Sequence, residues 1–279
     1  MATGDLRLDA YLSRIGYRGA FEPDVETLHR LHRAHALTIP FENLDILLER
    51  PIRLDLESLQ SKLVDGRRGG YCFEHNSLFQ AVLEAIGFRV TPLAARVRMF
   101  RGATGARTHM VLSVDAGGEP WLVDVGFGGE GLLDPLPLRT EDPVQQGVWS
   151  YRLQREGDAY VVRSLHHDSW RDLYAFRMEP QIPVDYEVAN HFTSTWPRSP
   201  FVAGVRVQRP GLDERLILFD DKLIVQRRAA DERRPVESPA ELLAILEERF
   251  GLVFPSGTRF DRNPDQETEQ LSRAPDDIR

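Results

Sequence analysis

Arg67-Arg-Gly-Gly-Tyr-Cys-Phe-Glu-His-Asn76 is the stretch on which the reading of this chain turns. Two glycines permit a sharp bend ahead of Cys72. An apolar face of Phe79, Val82, Leu83 and Ile86 then recurs at helical spacing as far as Gly87. Cys72 is therefore expected at or beside a helix N-terminus. Upstream, from Leu6, helical spacing also prevails: Leu28, Leu31 and His35 follow a Pro23-Asp24 start, and Leu56, Leu59 and Leu63 precede Gly66, which reads as a C-cap. The first third is a small helical bundle on this reading.

Downstream, from Val90, the period changes to two. Leu93, Ala95, Val97 and Met99 alternate with Arg96 and Arg98, and Met110, Leu112 and Val114 lead into a turn over 116–120 and then Trp121 to Val125. A second hairpin is expected about Arg155-Glu-Gly-Asp158, between Tyr151 to Leu153 and Tyr160 to Leu165. The middle third reads as an antiparallel sheet or partly closed β-barrel. After Pro183 the chain turns helical toward Phe192. Strands follow over Val205 to Gln208, Leu216 to Phe219 and Lys222 to Gln226. Ser238, Pro239 and Glu241 form a capping-box start to a helix that ends at Gly251. The tail beyond Asn263 is polar and reads as disordered. The fold class is α+β, divided at 1–89 (helical bundle), 90–200 (β-barrel) and 201–279 (α/β segment with the tail).

With 279 residues, 42% of them hydrophobic, the chain can bury a substantial core. Its net charge of -8 argues against an extended nucleic-acid footprint, which needs clustered cations. A lone cysteine forms no intramolecular disulfide, and Met-Ala-Thr-Gly-Asp lacks a signal peptide's basic start and apolar run, so a cytoplasmic location is expected. No apolar stretch approaches the length of a membrane span. The oligomeric state is left open, a homodimer included.

Cys72 has the surroundings of a reactive thiol: glycines that aim it outward, Arg67 and Arg68 nearby, and the partial positive charge of a helix start. A thiol nucleophile needs a base, and the base an orienting group. Among eight histidines, His29, His32 and His35 lack the i, i+4 spacing and carboxylate of a zinc helix, and read as a solvated or packed face. His166 and His167 beside Asp168 read as surface. His75 is a minor candidate, one helical turn from the thiol. His109 begins an apolar strand after the Gly102-Ala-Thr-Gly105 loop. Asp124 lies in the apolar Trp121-Leu-Val-Asp-Val-Gly126, where an unpaired charge would be costly. A hairpin through the 116–120 turn would bring it to His109.

Arg68 to Asn76 resembles the active-site signature of the arylamine N-acetyltransferase family. Ile39-Pro-Phe-Glu-Asn-Leu44, Thr108-His-Met110, Val123-Asp-Val-Gly-Phe-Gly128 and Asn190-His-Phe-Thr-Ser-Thr-Trp-Pro-Arg-Ser-Pro-Phe201 resemble its other landmarks in the same order, and residues beyond 205 match weakly. The resemblance implies a helical first domain, a β-barrel and an α/β lid around a cysteine-protease-like core. It implies a triad of Cys72, His109 and Asp124, with acetyl-CoA as acyl donor, an arylamine, hydrazine or hydrazide as acceptor, and no metal. It places Phe41, Phe127 and Phe201 in the acceptor pocket, and Val97, Met99, Thr108 and Gly128 against CoA. Arg96, Arg98, Arg101 and Arg107 are candidates for the CoA phosphates. Glu42 and Arg68 are expected to form a buried pair that locks the loop of Cys72. The residues leave other readings open: an amide synthase closing a macrocycle from a carrier-protein thioester, a cysteine hydrolase or transglutaminase-like enzyme, or a small-molecule binding protein.

Overall fold

A computed structural model describes residues 5–19, 21–99, 105–166 and 168–260. Arg101, His167 and the polar tail lie outside them. The chain opens with helices α1 (Leu8–Arg14) and α2 (Val25–Thr38). Asp24 caps α2, its side chain accepting the Thr27 N–H at 2.8 Å. Strand β1 (Phe41–Glu42), the short α3 (Leu44–Leu47) and α4 (Leu56–Leu59) follow. The segment read as one helix up to Gly66 leaves α-geometry after Leu59 and continues as a π-helix over Gln60–Asp65. Gly66 ends it with a right-handed φ of -71°, so its conformational freedom is not what stops the helix. Helix α5 (Cys72–Ile86) ends on Gly87 at φ 106°, the left-handed cap that glycine favours.

The middle of the chain supplies β2 (Arg89–Val97), β3 (His109–Ala116), β4 (Glu119–Val123), β5 (Leu136–Pro137), β6 (Val144–Gln146), β7 (Trp149–Glu156), β8 (Ala159–His166) and β9 (Ser169–Pro180). They form an eight-stranded antiparallel sheet in the order β5-β4-β3-β2-β9-β8-β7-β6. It curls into a near-barrel, and the side chain of Gln146 helps to tie its two edges together. Buried Gln146 of β6 accepts from the Leu133 and Asp134 N–H groups at 2.8 and 3.1 Å and donates to the Asp134 carbonyl at 2.8 Å. The last third contains α6 (Pro183–Thr195), α7 (Pro200–Ala203), β10 (Arg206–Arg209), β11 (Glu214–Phe219), β12 (Lys222–Arg227), β13 (Asp231–Pro235) and α8 (Pro239–Phe250). Ser238 caps α8 by accepting the Glu241 N–H at 3.1 Å, while the Glu241 carboxylate turns back to the Glu237 N–H. The lid sheet is five-stranded, β1-β10-β11-β12-β13. Its first strand comes from the N-terminal third, where Phe41 pairs with Gln208 and Glu42 with Val207.

Strand β3 explains how the site is held. Met110, Leu112 and Val114 face the core shared with the helices, whereas Val111 points into the barrel, so both faces of the strand are buried. Burying a side chain the size of Leu112 contributes about 1.5–3 kcal/mol. His109, at the strand's first position, is therefore fixed between two cores. Among the described residues no helix is long and apolar enough to cross a membrane.

Candidate active site

The bend before Cys72 uses its glycines for close approach. The left-handed residue is Arg67, at φ 49°. A Cβ on Gly69 would run into the Pro40 carbonyl and sit 2.9 Å from Glu42 Cγ, and one on Gly70 would lie 2.7 Å from Glu74 Oε2. The loop can thus lie flat against β1, where the Glu42 N–H donates to the Gly70 carbonyl at 2.7 Å.

A buried ionic cluster locks that arrangement. Arg68 donates to Glu42 Oε1 through Nε and Nη2 at 2.9 and 2.6 Å and approaches Asp45 at 3.3 Å. Its guanidinium also lies 4.5 Å from the centroid of the Phe254 ring. Lys62, on the π-helix, pairs with Asp45 at 2.8 Å and Glu74 at 2.7 Å. Glu74 Oε2 in turn accepts the Tyr71 N–H at 3.0 Å. Burial disfavours the Asp45 carboxylate, but Lys62 and Arg68 outweigh it and hold its pKa below the ordinary value.

Cys72 is the first residue of α5, where backbone N–H groups lack intrahelical acceptors, and it is 4% exposed. Its Sγ lies 3.6 Å from the Thr108 carbonyl, to which the thiol donates when protonated. Asp124 sits one residue past the end of β4 instead of within it. The β3–β4 register, with Leu112 opposite Val123, carries it toward the start of β3, and its Oδ2 lies 2.7 Å from His109 Nε2. With Nε2 so occupied, Nδ1 is the nitrogen left for the neighbouring Cys72 side chain, which helps to raise the pKa of His109. Burial opposes a charged His109, yet Asp124 and Cys72 prevail and push its pKa up to about 10. Asp124 is likewise held below its usual value: burial alone would raise it, and His109, Asn76 and the Gly126 N–H override that.

Sequence reasoning assigned no role to the groups that hold Asp124. Asn76 donates from Nδ2 to Asp124 Oδ1 at 3.0 Å and to the Met110 carbonyl at 2.8 Å, and accepts the Val125 N–H at 3.1 Å. The signal was available, since Asn76 follows Cys72 by four residues and shares its helix face. Gly126 donates to the same Oδ1 at 3.0 Å, and a Cβ there would lie 2.8 Å from both the Cys72 Cα and Asn76 Nδ2. The Asp124 N–H donates to His32 Nε2 at 3.3 Å. The Tyr174 ring packs 4.8 Å from that of His109.

The other histidines separate by burial. His32, His35 and His75 are fully buried, which resolves the α2 face as packed instead of solvated. Tyr11 Oη lies 2.7 Å from His35 Nδ1, His35 Nε2 lies 2.8 Å from His75 Nδ1, and His75 Nε2 lies 3.2 Å from the Pro40 carbonyl. A carbonyl only accepts, so hydrogen bonds run from Tyr11 to His35 to His75 to Pro40 with every imidazole neutral. His75 is consumed by this chain. Burial pushes its pKa down to about 4, as it does that of His32.

Two of the three phenylalanines, Phe41 and Phe127, line one pocket, and Phe201 packs against Phe41. Phe41 and Phe201 have ring centroids 5.9 Å apart, Phe127 is 5.2 Å from His109, and Phe41, Phe127 and Gly128 line one pocket with Ile39, Leu132 and Pro210. The space a Cβ would need at Gly128, itself at φ 95°, holds Gln208 Oε1, which accepts the Gly129 N–H at 2.6 Å. Met99 packs with Phe127 against the barrel core, and Val97 pairs with Tyr174. Arg98 is committed to Glu156 and Asp172 at 2.7 and 3.3 Å, and Arg107 to Glu179 at 2.9 Å. Among the described residues, no group of three or more His, Cys, Asp or Glu side chains is placed to hold a metal ion.

A thiol at a helix start, an imidazole and a buried carboxylate, within a cysteine-protease-like α/β-barrel/lid architecture, define the class of thiol-dependent acyl-transfer proteins. An N-acetyltransferase family model matches residues 24–258. The chain is 44% identical over 252 residues to an arylamine N-acetyltransferase of Mycolicibacterium smegmatis, covering 88% of this chain and 91% of that one. It is 39% identical over 248 residues to one from Escherichia coli K12, covering 88% of each. Among solved structures, the Nocardia farcinica arylamine N-acetyltransferase superposes with a TM-score of 0.85 at 42% identity, covering 90% of this chain and 91% of that one. The Mycobacterium marinum enzyme in complex with CoA superposes with 0.84 at 41%, covering 88% and 92%. The chain belongs to the arylamine N-acetyltransferase family and is an acyltransferase of that family.

Proposed function

We propose that this protein transfers an acetyl group from acetyl-CoA to an arylamine, hydrazine or hydrazide through an acetyl-cysteine at Cys72. The observation that carries the reading is the 2.7 Å contact of His109 Nε2 with buried Asp124, which leaves Nδ1 to the thiol. With His109 raised to about 10, the imidazolium is the favoured form at neutral pH, and it stands beside the sulfur that attacks the thioester carbonyl. The backbone N–H of Cys72 faces the developing oxyanion. As the carbon–sulfur bond to CoA breaks, His109 gives its proton to the departing thiolate. An amine then adds to the acetyl-cysteine, His109 takes the amine proton, and the Cys72 thiolate leaves. A thiolate exchanges with a thioester at little thermodynamic cost, and the product amide draws the second step forward.

Phe41, Phe127 and Phe201 supply flat apolar walls for an aryl acceptor. Val97, Met99, Thr108 and Gly128 border the CoA side. Among the described arginines, Arg96 is the phosphate candidate of choice, because Arg98 and Arg107 already hold carboxylates. The test is CoA release from acetyl-CoA followed with a thiol reagent, with and without an arylamine, in wild type and Cys72→Ala. Amine-dependent release lost in the variant is expected; release that is independent of amine would make the protein a hydrolase instead.

A further inference from the structure

Asp124 is gripped at its side chain by Asn76, Gly126 and His109, and at its main chain by a histidine from a different part of the molecule. His32, on α2, is fully buried with its ring edge-on to Phe79 at a centroid distance of 6.0 Å. Its two nitrogens have opposite tasks. Nδ1 lies 3.1 Å from the Leu133 carbonyl, which only accepts, so Nδ1 carries the proton. Nε2 is then a bare lone pair, and the Asp124 N–H donates to it at 3.3 Å. Neighbouring residues of α2 secure the same loop: Arg33 donates through Nε to Asp134 at 3.0 Å, and His29 lies 3.7 Å from that carboxylate.

We infer that His32 is a positioning residue for the reaction: as a neutral acceptor it fixes the backbone of Asp124, and through Asp124 the imidazole plane of His109 relative to Cys72. This rests on the acyl-transfer reading above. Main-chain fixing matters because Asp124 lies one residue past β4, where the strand ladder no longer holds it. Its carboxylate meets Asn76 and Gly126 at Oδ1 and His109 at Oδ2, so a shift of the Asp124 backbone would disturb these contacts together.

Two isosteres separate the nitrogens. In His32→Asn the amide reaches the place of Nδ1 and keeps the Leu133 bond but not the Asp124 bond; in His32→Gln it reaches the place of Nε2 and keeps an acceptor for Asp124 but not the Leu133 bond. We expect kcat for amine-dependent CoA release to fall about tenfold in His32→Asn with the KM for acetyl-CoA unchanged, and to stay within about twofold of wild type in His32→Gln, both variants losing similar Tm. The pH midpoint of Cys72 alkylation by iodoacetamide should move in the Asn variant alone. Equal kcat in the two variants, or kcat that simply follows Tm, overturns the assignment. In wild type an N–H···N coupling between the Asp124 amide and His32 Nε2 should appear by NMR, and its absence overturns the assignment even if a variant fails to fold. Failure of the acyl-transfer reading would look different: wild type itself would release no CoA, while the alkylation midpoints would still rank the variants.

Discussion

Two sets of buried histidines in this molecule meet the same absence of water and respond in opposite directions. His109 is 2% exposed, and His32, His35 and His75 are 0% exposed, so burial penalises the imidazolium in all of them. At His109 the Asp124 carboxylate overrides that penalty and the pKa rises to about 10. At His32 and His75 desolvation is the larger effect: Asp134 and the Leu133 carbonyl at His32, and the Pro40 and Gly70 carbonyls at His75, oppose it without matching it, and both pKa values fall to about 4. Partner chemistry, more than depth, decides which histidine is charged at neutral pH. The charged one sits beside the thiol; the neutral ones secure the segments that carry it.

Removing the carboxylate should erase the distinction most completely. Asp124→Asn is expected to lower kcat by about 10³- to 10⁴-fold, since an amide neither stabilises the imidazolium nor enforces its tautomer. His109 should then titrate below 6.5 by NMR, joining the neutral set. A value still near 10 would show that Cys72, not Asp124, sustains its charge.

The ionic cluster tests the supporting side. Arg68→Ala leaves Glu42, fully buried, and Asp45 short of a cation and should cost about 3–5 kcal/mol, read as a lowered urea midpoint and reduced soluble yield. A stable but inactive Arg68→Ala protein would instead argue for a direct part in the reaction.

Acid should separate the two sets without mutation. His32 and His75 have folded pKa values of about 4 against about 6.5 when unfolded. The unfolded chain therefore binds more protons in that window. Their contribution is complete above pH 6.5 and is lost as pH falls toward 4, by about 3 kcal/mol for each. His109 works the other way: its contribution is present below 6.5 and disappears as pH rises through about 10. Urea unfolding from pH 7 to 4.5 should show the acid loss, and a flat profile would mean that the buried imidazoles already carry protons.

The smallest effect is expected at the head of the neutral chain. Tyr11→Phe removes the donor to His35 Nδ1 and leaves a buried acceptor unpaired, at about 1–3 kcal/mol by thermal unfolding, with kcat unchanged. A loss of activity at unchanged Tm would tie this chain to the chemistry.

Local signals carried much of this architecture. Asp24 and Ser238 act as caps where their spacing predicts, Gly87 and Gly251 end α5 and α8 in left-handed geometry, and the 155–158 turn joins β7 to β8. Each depends on residues within a few positions of one another, and such physics is written along the chain. The elements that escaped were those whose reason lies elsewhere. Strand β13, Asp-Glu-Arg-Arg-Pro, has no apolar alternation and exists as the charged edge of a sheet. Strand β1 is two residues long and forms because β10 offers it a ladder. The π-helical turn delivers Lys62 to Asp45 and Glu74, a requirement no helical periodicity expresses.

At the site the division is similar. By itself the sequence singled out Cys72, His109 and Asp124 as the candidate chemistry-bearing residues, because a thiol at a helix start, a histidine opening a strand and a carboxylate in an apolar hairpin are local facts, reinforced by motifs in family order. Only the tertiary structure decided which nitrogen of His109 meets Asp124, that His75 is spent on Pro40, and that α2 supplies the acceptor for the Asp124 main chain. Those are matters of protonation and direction in a buried interior, set by groups 15 to 92 residues apart in the chain, and no spacing rule along it encodes them.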